Sequence, residues 1–164
     1  MSLNNKSTIK GTYFPPGDKS ISHRILILAG QVVGKSKITN LLEGEDVINT
    51  LKAMRLLGVK IIKNDSTYIV FGIPLGGLFQ PKKIIDFGNS GTGIRLICGL
   101  ISSNNIEVKL IGDSSLSKRP MRRVTKHLSK IGATIELRNK SFPPIKLKGT
   151  GNAVPLTFEI IIPS

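Results

Sequence analysis

Apolar positions along the chain fall into short blocks whose spacing switches between the strand period and the helix period. Thr8 to Phe14 reads as a short strand, ended by Pro15-Pro16-Gly17. The block from Ile21 to Val32 is apolar almost all round, which predicts a helix buried on every side rather than an amphipathic one. Ser36 to Leu42 alternates as a strand, and Glu43 to Asp46 is a loop that brings acids to the start of the next helix. There, Val47, Ile48, Leu51, Met54 and Leu57 share one helical face, and Gly58 stands where a helix ends. Val59 to Ile62 and Thr67 to Phe71 are predicted as strands joined by a turn at Asn64-Asp65-Ser66.

The pattern then restarts. Gly88 to Arg95 leads into a second apolar helix, Leu96 to Ile101, followed by a strand from Ile106 to Ile111. Arg119-Pro120 opens another helix with proline near its first position, a buried face of Met121, Val124, Leu128 and Ile131, and Gly132 at its end. Strands follow at Ala133 to Leu137 and Pro144 to Leu147 around Asn139-Lys140-Ser141, and a last strand is predicted over Pro155 to Ile162. An offset of 71 residues carries Gly17 onto Gly88 and Arg24 onto Arg95, and an offset of 74 carries Leu57-Gly58-Val59 onto Ile131-Gly132-Ala133. The chain therefore divides into an N-terminal strand and linker (1–16), a first unit (17–87) and a second unit (88–164) of an α/β fold. A third unit would fall due near residue 162, so the second is read as cut off before it.

Composition adds a charge. In 164 residues there are 24 Lys and Arg against 10 Asp and Glu, a net +14 that points to an anionic partner. Aromatics are 5% with no Trp, too few for the stacking platforms of single-strand nucleic-acid binding. Cys98 is the sole cysteine and lies in an apolar run, so it reads as a buried structural thiol rather than a nucleophile, and no intrachain disulfide is possible. Met1 to Lys10 lacks the apolar core of a signal peptide, and no apolar run approaches the ~18 residues of a membrane span, which makes the cytoplasm the expected compartment.

The candidate chemistry sits at the two glycine loops. Gly17-Asp18-Lys19-Ser20-Ile21-Ser22-His23-Arg24 delivers a helix N-terminus with two hydroxyls and two cations. It is either an ordinary capped start with solvated charges or a seat for phosphate or carboxylate. If the two units pack side by side, both helix starts face one cleft, where Lys19, Arg24, Arg95 and Arg119 make a mouth that attracts anions. His23 reads as an ordinary polar residue at a helix start rather than a base, His127 as a solvated residue on the charged side of its helix, and Thr92 as a candidate cap.

Three motifs carry a family resemblance. Pro16 to Arg24, Asp86 to Arg95 (Asp-Phe-Gly-Asn-Ser-Gly-Thr-Gly-Ile-Arg) and Gly112 to Met121 (Gly-Asp-Ser-Ser-Leu-Ser-Lys-Arg-Pro-Met) resemble the signatures of the 5-enolpyruvylshikimate-3-phosphate synthases, in that family's order. The resemblance implies repeated βαββαβ units of the enolpyruvyltransferase inverse α/β barrel, two of them present here, with substrates between two domains. It implies transfer of the enolpyruvyl group of phosphoenolpyruvate to the 5-hydroxyl of shikimate 3-phosphate, releasing phosphate, by addition and elimination, with no metal or organic cofactor. By position, Lys19 matches a residue that touches both substrates. Ser20, Arg24 and Ser164 match the shikimate 3-phosphate site, and Asn89, Gly91, Thr92 and Arg119 match the phosphoenolpyruvate site. Arg95 also matches a family arginine, of binding or structural role. Where some members carry an arginine four residues before Arg119, this chain has Ser115.

The same resemblance places the proton-transfer acid and base in a C-terminal domain beyond Ser164. The 164-residue chain is therefore expected to be inactive alone, and the full-length protein to be a monomer. It also implies that glyphosate occupies the phosphoenolpyruvate site and that Gly91 leaves it room. Two alternatives are a related enolpyruvyltransferase acting on a UDP-amino sugar, against which the first loop argues, and a basic nucleic-acid-binding domain.

Overall fold

Asp18 starts the first helix, α1 (Lys19–Gln31), because its carboxylate accepts the Ile21 amide at 2.7 Å and so satisfies one of the N–H groups a helix start leaves free. The computed structural model describes residues 10–159. After α1 come β1 (Gly34–Thr39), α2 (Glu45–Leu56), β2 (Lys60–Asn64) and β3 (Thr67–Gly72). The second unit supplies β4 (Ile85–Asp86), α3 (Gly91–Ser102), β5 (Glu107–Ile111), α4 (Arg122–Lys130), β6 (Thr134–Arg138) and β7 (Phe142–Lys148). Gly58 follows α2 at φ 98°, a left-handed position that a side chain would strain. The two hairpin turns likewise place Asp65 and then Asn139 and Lys140 at positive φ.

Each unit makes an antiparallel sheet of one topology. The order is β1-β3-β2 in the first and β5-β7-β6 in the second, to which β4 adds as a parallel edge strand beside β5. In β7, Pro143, Ile145 and Leu147 point inward while Pro144, Lys146 and Lys148 face out, the period of a half-buried strand. Ile145 and Leu147 pair with Leu110 and Val108 on one side and with Leu137 and Ile135 on the other. One hydrophobic core runs through both units, from Leu26, Val47 and Met54 to Phe87, Ile97 and Leu110. Helix α2 packs against both α1 and α3.

Burial repeats with the sequence. Ser22, His23, Leu26, Ile27, Ala29 and Gly30 are buried in α1, and the residues 71 positions later, Gly93, Ile94, Ile97, Cys98, Leu100 and Ile101, are buried in α3. The expectation that α1 is covered all round fails, however. Ile21 and Leu28 are each 57% exposed, and Ile25 also meets solvent. One flank of α1 packs on α2, α3 and β3. The other opens into a groove of 330 Å³ that Arg24, Leu28, Leu96 and Gly99 help to line.

Further expectations need correction. Lys10 to Phe14 forms no strand, and Tyr13 and Phe14 are exposed; Thr8 and Ile9 lie outside the described residues. The second unit pairs β4 with its neighbour just before the glycine loop, but the first unit has Pro15 and Pro16 there, which have no N–H to donate. The span 155–159 is likewise without strand pairing, and 160–162 lie outside the described residues. Helix α4 begins after Pro120, at Arg122, because the Met121 amide is drawn to the Ser141 carbonyl at 2.7 Å. Its buried positions are Met121 and Thr125, with Val124, Leu128 and Ile131 half-buried. His127 is half-buried too, stacked on Phe158 at 4.3 Å, because the stretch after Gly151 runs back along α4 and bonds the Val154 amide to Ile131. Finally, the two residues of β4 are too few to show a period in sequence.

Candidate functional site

The site begins with two helix starts that both border the N-terminal part of α2. At the first, Asp18 caps α1, and Lys19, Ser20 and Arg24 are exposed around the free amides. The Lys19 ammonium lies 3.3 Å from the Asp46 carboxylate in the first turn of α2. Both groups are in contact with solvent, so the pair is worth at most about 1 kcal/mol, and an arriving anion can compete for the lysine. Below it Ser22 accepts the Leu42 amide at 3.0 Å, and His23 bonds through Nδ1 to Thr50 Oγ1 at 2.8 Å, so α1 is tied to the chain around α2.

His23 is therefore not a polar residue at an open helix start. Its side chain is fully buried, with Nε2 unpartnered, and burial pushes its pKa below the usual value. The nearby Asp46 opposes that shift, and Lys19 adds to it. A buried neutral ring of this kind braces helices; it has no access to a substrate proton.

The second helix start belongs to α3. Ser90 is its cap, its hydroxyl accepting the Gly93 amide at 3.2 Å, so the capping role considered for Thr92 falls to Ser90 and Thr92 stands exposed in the first turn. Two guanidinium groups converge on Gly91. Arg95 Nη1 donates to the Gly91 carbonyl at 2.9 Å, and its Nη2 donates to the Pro120 carbonyl at 3.3 Å. Arg119 Nη2 donates to the Asn89 side-chain oxygen, and also to Ser115 Oγ at 3.3 Å. A Cβ at Gly91 would lie 2.9 Å from Arg119 Nη1 and 3.0 Å from Arg95 Nη1, so the absent side chain is what lets the arginines close over the helix start. Burial, with Arg119 and Arg123 nearby, holds the pKa of Arg95 below the usual arginine value.

The first turn of α2 links the two starts. Asp46 meets Lys19 on one side, and on the other Asn49 Nδ2 donates to the Phe87 carbonyl at 3.0 Å, just before the Gly88 loop. Of the predicted residues, Asn89, Gly91, Thr92 and Arg119 gather at the α3 start, with Arg95, while Lys19, Ser20 and Arg24 gather at the α1 start. Ser164 lies outside the described residues. A concavity of 510 Å³ between α4 and β6 holds none of these groups, so volume does not mark the site. Cys98 is buried, with its thiol pushed up to about 12, which leaves it inert.

Comparison with known proteins shows the family. The family model for EPSP synthase (3-phosphoshikimate 1-carboxyvinyltransferase) matches residues 3–164. The chain belongs to the EPSP synthase family. Its sequence is 43% identical over 163 residues to the 3-phosphoshikimate 1-carboxyvinyltransferase of Streptococcus agalactiae, covering 99% of this chain and 38% of that protein. It is 44% identical over 165 residues to the enzyme of the same name from Ruegeria sp., covering 100% and 37%. The EPSP synthase structure from Acinetobacter baumannii superposes with a TM-score of 0.89 at 36% identity, over 94% of this chain and 35% of that one. The fold is thus a part of the EPSP synthase fold, and the chain spans under two-fifths of the length of these relatives. Sequence reasoning placed Asp46 at the start of α2, held Ser90 and Asp113 inside motifs and took Asp113 as a loop-fixing residue, but it gave none of them its partner. Their partners depend on which loops meet, and the sequence clue was a carboxylate or hydroxyl in or near each motif.

Proposed function

We propose that this chain forms one wall of an EPSP synthase active site, where the enolpyruvyl group of phosphoenolpyruvate is transferred to the 5-hydroxyl of shikimate 3-phosphate. The observation that carries the reading is the convergence of Arg119 and Arg95 on the α3 start at Gly91, with Lys19 and Arg24 at the α1 start, which α2 links to it. Two anions approaching each other repel, and fixed cations and helix-end amides offset that repulsion without reorganising. In this reading Arg119, Asn89, Gly91 and Thr92 take phosphoenolpyruvate, and Ser20, Arg24 and Ser164 take shikimate 3-phosphate, with Lys19 between the two. Of the carboxylates around the site, Asp18 caps α1, Asp46 meets Lys19, and Asp113 holds Asn89. By the family resemblance, the acid and base for proton transfer are assigned to polypeptide matching the rest of the relatives' length, and the full-length enzyme is read as a cytoplasmic monomer of two such domains. Residues 17–87 and 88–164 are two of the repeated units.

Calorimetric titration tests this. Phosphoenolpyruvate should bind the chain and lose at least tenfold in affinity on Arg119→Ala, a substitution that removes charge-assisted hydrogen bonds. Shikimate 3-phosphate should lose affinity on Arg24→Ala instead. The chain alone should give no turnover in a phosphate-release assay. Preference for a UDP-amino sugar over shikimate 3-phosphate would reject the assignment.

A further inference from the structure

The carboxylate of Asp113 touches both segments that shape the arginine site. Oδ2 accepts Asn89 Nδ2 at 2.8 Å, and Oδ1 accepts the Leu116 amide at 2.7 Å. The backbone adds two bonds: the Asp113 amide donates to Gly88 O at 2.9 Å, and its carbonyl accepts the Ser117 amide at 2.9 Å. Asp113 thus joins the loop before α3 to the 3₁₀ turn Leu116–Lys118, and Arg119 follows that turn with its amide bonded to Leu116 O at 3.0 Å.

The chemistry of the carboxylate settles the direction of the next bond. An ionised carboxylate accepts and never donates, so it takes the NH₂ end of the Asn89 amide. The oxygen end is left facing Arg119, whose guanidinium only donates. Reversing the amide would put donor against donor at Arg119 and acceptor against acceptor at Asp113. The Leu116 and Asn89 donors also hold the Asp113 carboxyl below the usual carboxylate range, which keeps it ionised at neutral pH. The first unit has no such device: the position 71 residues before Asp113 is Leu42, and Lys19 meets a single exposed carboxylate.

We propose that Asp113 is a positioning residue that fixes the direction of the Arg119 guanidinium through the Asn89 amide, and so prepares the α3 start for its anion. The identity of that anion as phosphoenolpyruvate rests on the function proposed above. The Asn89 side chain bridges Asp113 and Arg119 and so aims Arg119, and its second Nδ2 proton is left to donate toward the ligand.

Serine at position 113 separates positioning from capping. Its hydroxyl can still cap the Leu116 amide but is too short to hold Asn89 as well. In the ligand-free chain, the Arg119 side-chain Nε signal in ¹⁵N NMR should be ordered in the native protein and mobile in Asp113→Ser, Asp113→Ala and Asn89→Ala. Titrated with phosphoenolpyruvate, each of the three should bind about tenfold more weakly, the effect of one charge-assisted hydrogen bond. The double variant Asp113→Ser/Asn89→Ala should be no weaker than either single one, because both act through one contact. Affinity for shikimate 3-phosphate should not change. A capping role alone would leave Asp113→Ser like the native chain and only Asp113→Ala impaired, which overturns the proposal, as would additive losses in the double variant. If the native chain binds no phosphoenolpyruvate, the substrate reading fails by itself. The NMR comparison then still decides, and an ordered Arg119 in Asp113→Ser overturns the positioning role.

Discussion

Gly91 shows how one missing side chain can serve charge rather than backbone freedom. It is the first residue of α3 and not at positive φ, so the backbone there accepts alanine without strain. What alanine would meet is the ends of two flexible arginine side chains. Gly91→Ala is therefore expected to fold with undiminished thermal stability while Arg119 and Arg95 withdraw. Calorimetry should show weaker binding of phosphoenolpyruvate, and glyphosate, if it shares that seat, should weaken as well. A large fall in melting temperature would mean that the contact at Gly91 is structural. Asn89 and Asp113 are 24 residues apart, and nothing in their spacing announces a bond; it exists because two loops close on each other.

At the scale of elements, the α1–α2 joint contains a titratable group. His23 is buried and neutral, with its pKa lowered by burial. The unfolded chain takes up a proton near the ordinary value of about 6.5 and the folded chain does so only at lower pH. Stability is thus complete above that value and drains as pH falls below it, by up to about 1.4 kcal/mol per pH unit. Urea midpoints at pH 7.5 and 5.5 should differ more for the native chain than for His23→Asn. Glu43 and Asp113, carboxylates whose pKa values are also lowered, act in a separate and more acidic window. The repeat was legible in sequence because glycine loops and apolar positions recur at one offset, and α1 and α3 bury matching residues. The open flank of α1 was not legible, since hydrophobicity says what a segment gains by burial and not what lies over it. The choice of Ser90 over Thr92 as a cap was hidden for a related reason: both are hydroxyls in the right window, and the turn before α3 selects one.

For the whole molecule, the same flank predicts behaviour in solution. Ile21, Ile25 and Leu28 are exposed at helical spacing on α1, and Leu28 and Leu96 line the groove between α1 and α3, apolar surface of a kind that favours association. Concentration-dependent association is expected by analytical ultracentrifugation, and Leu28→Lys should reduce it without lowering the melting temperature, because Leu28 contributes little to the core. An unchanged association constant would place the contact elsewhere.

The core shared by the two units has a consequence for the connection between them. The linker from Ile73 to Ile84 carries an exposed Leu75 and a turn at Gly76-Gly77, and it is anchored after that turn by Phe79 to Leu57 and by Gln80 to Glu107. Helix α2 stays wedged against α3 whatever happens at the turn. A protease that cuts between Leu75 and Gly77 should therefore yield two pieces that still travel as one particle in gel filtration and part only in denaturant. Peptides made separately should assemble when mixed, so that the covalent join governs how fast the halves find each other more than whether they hold.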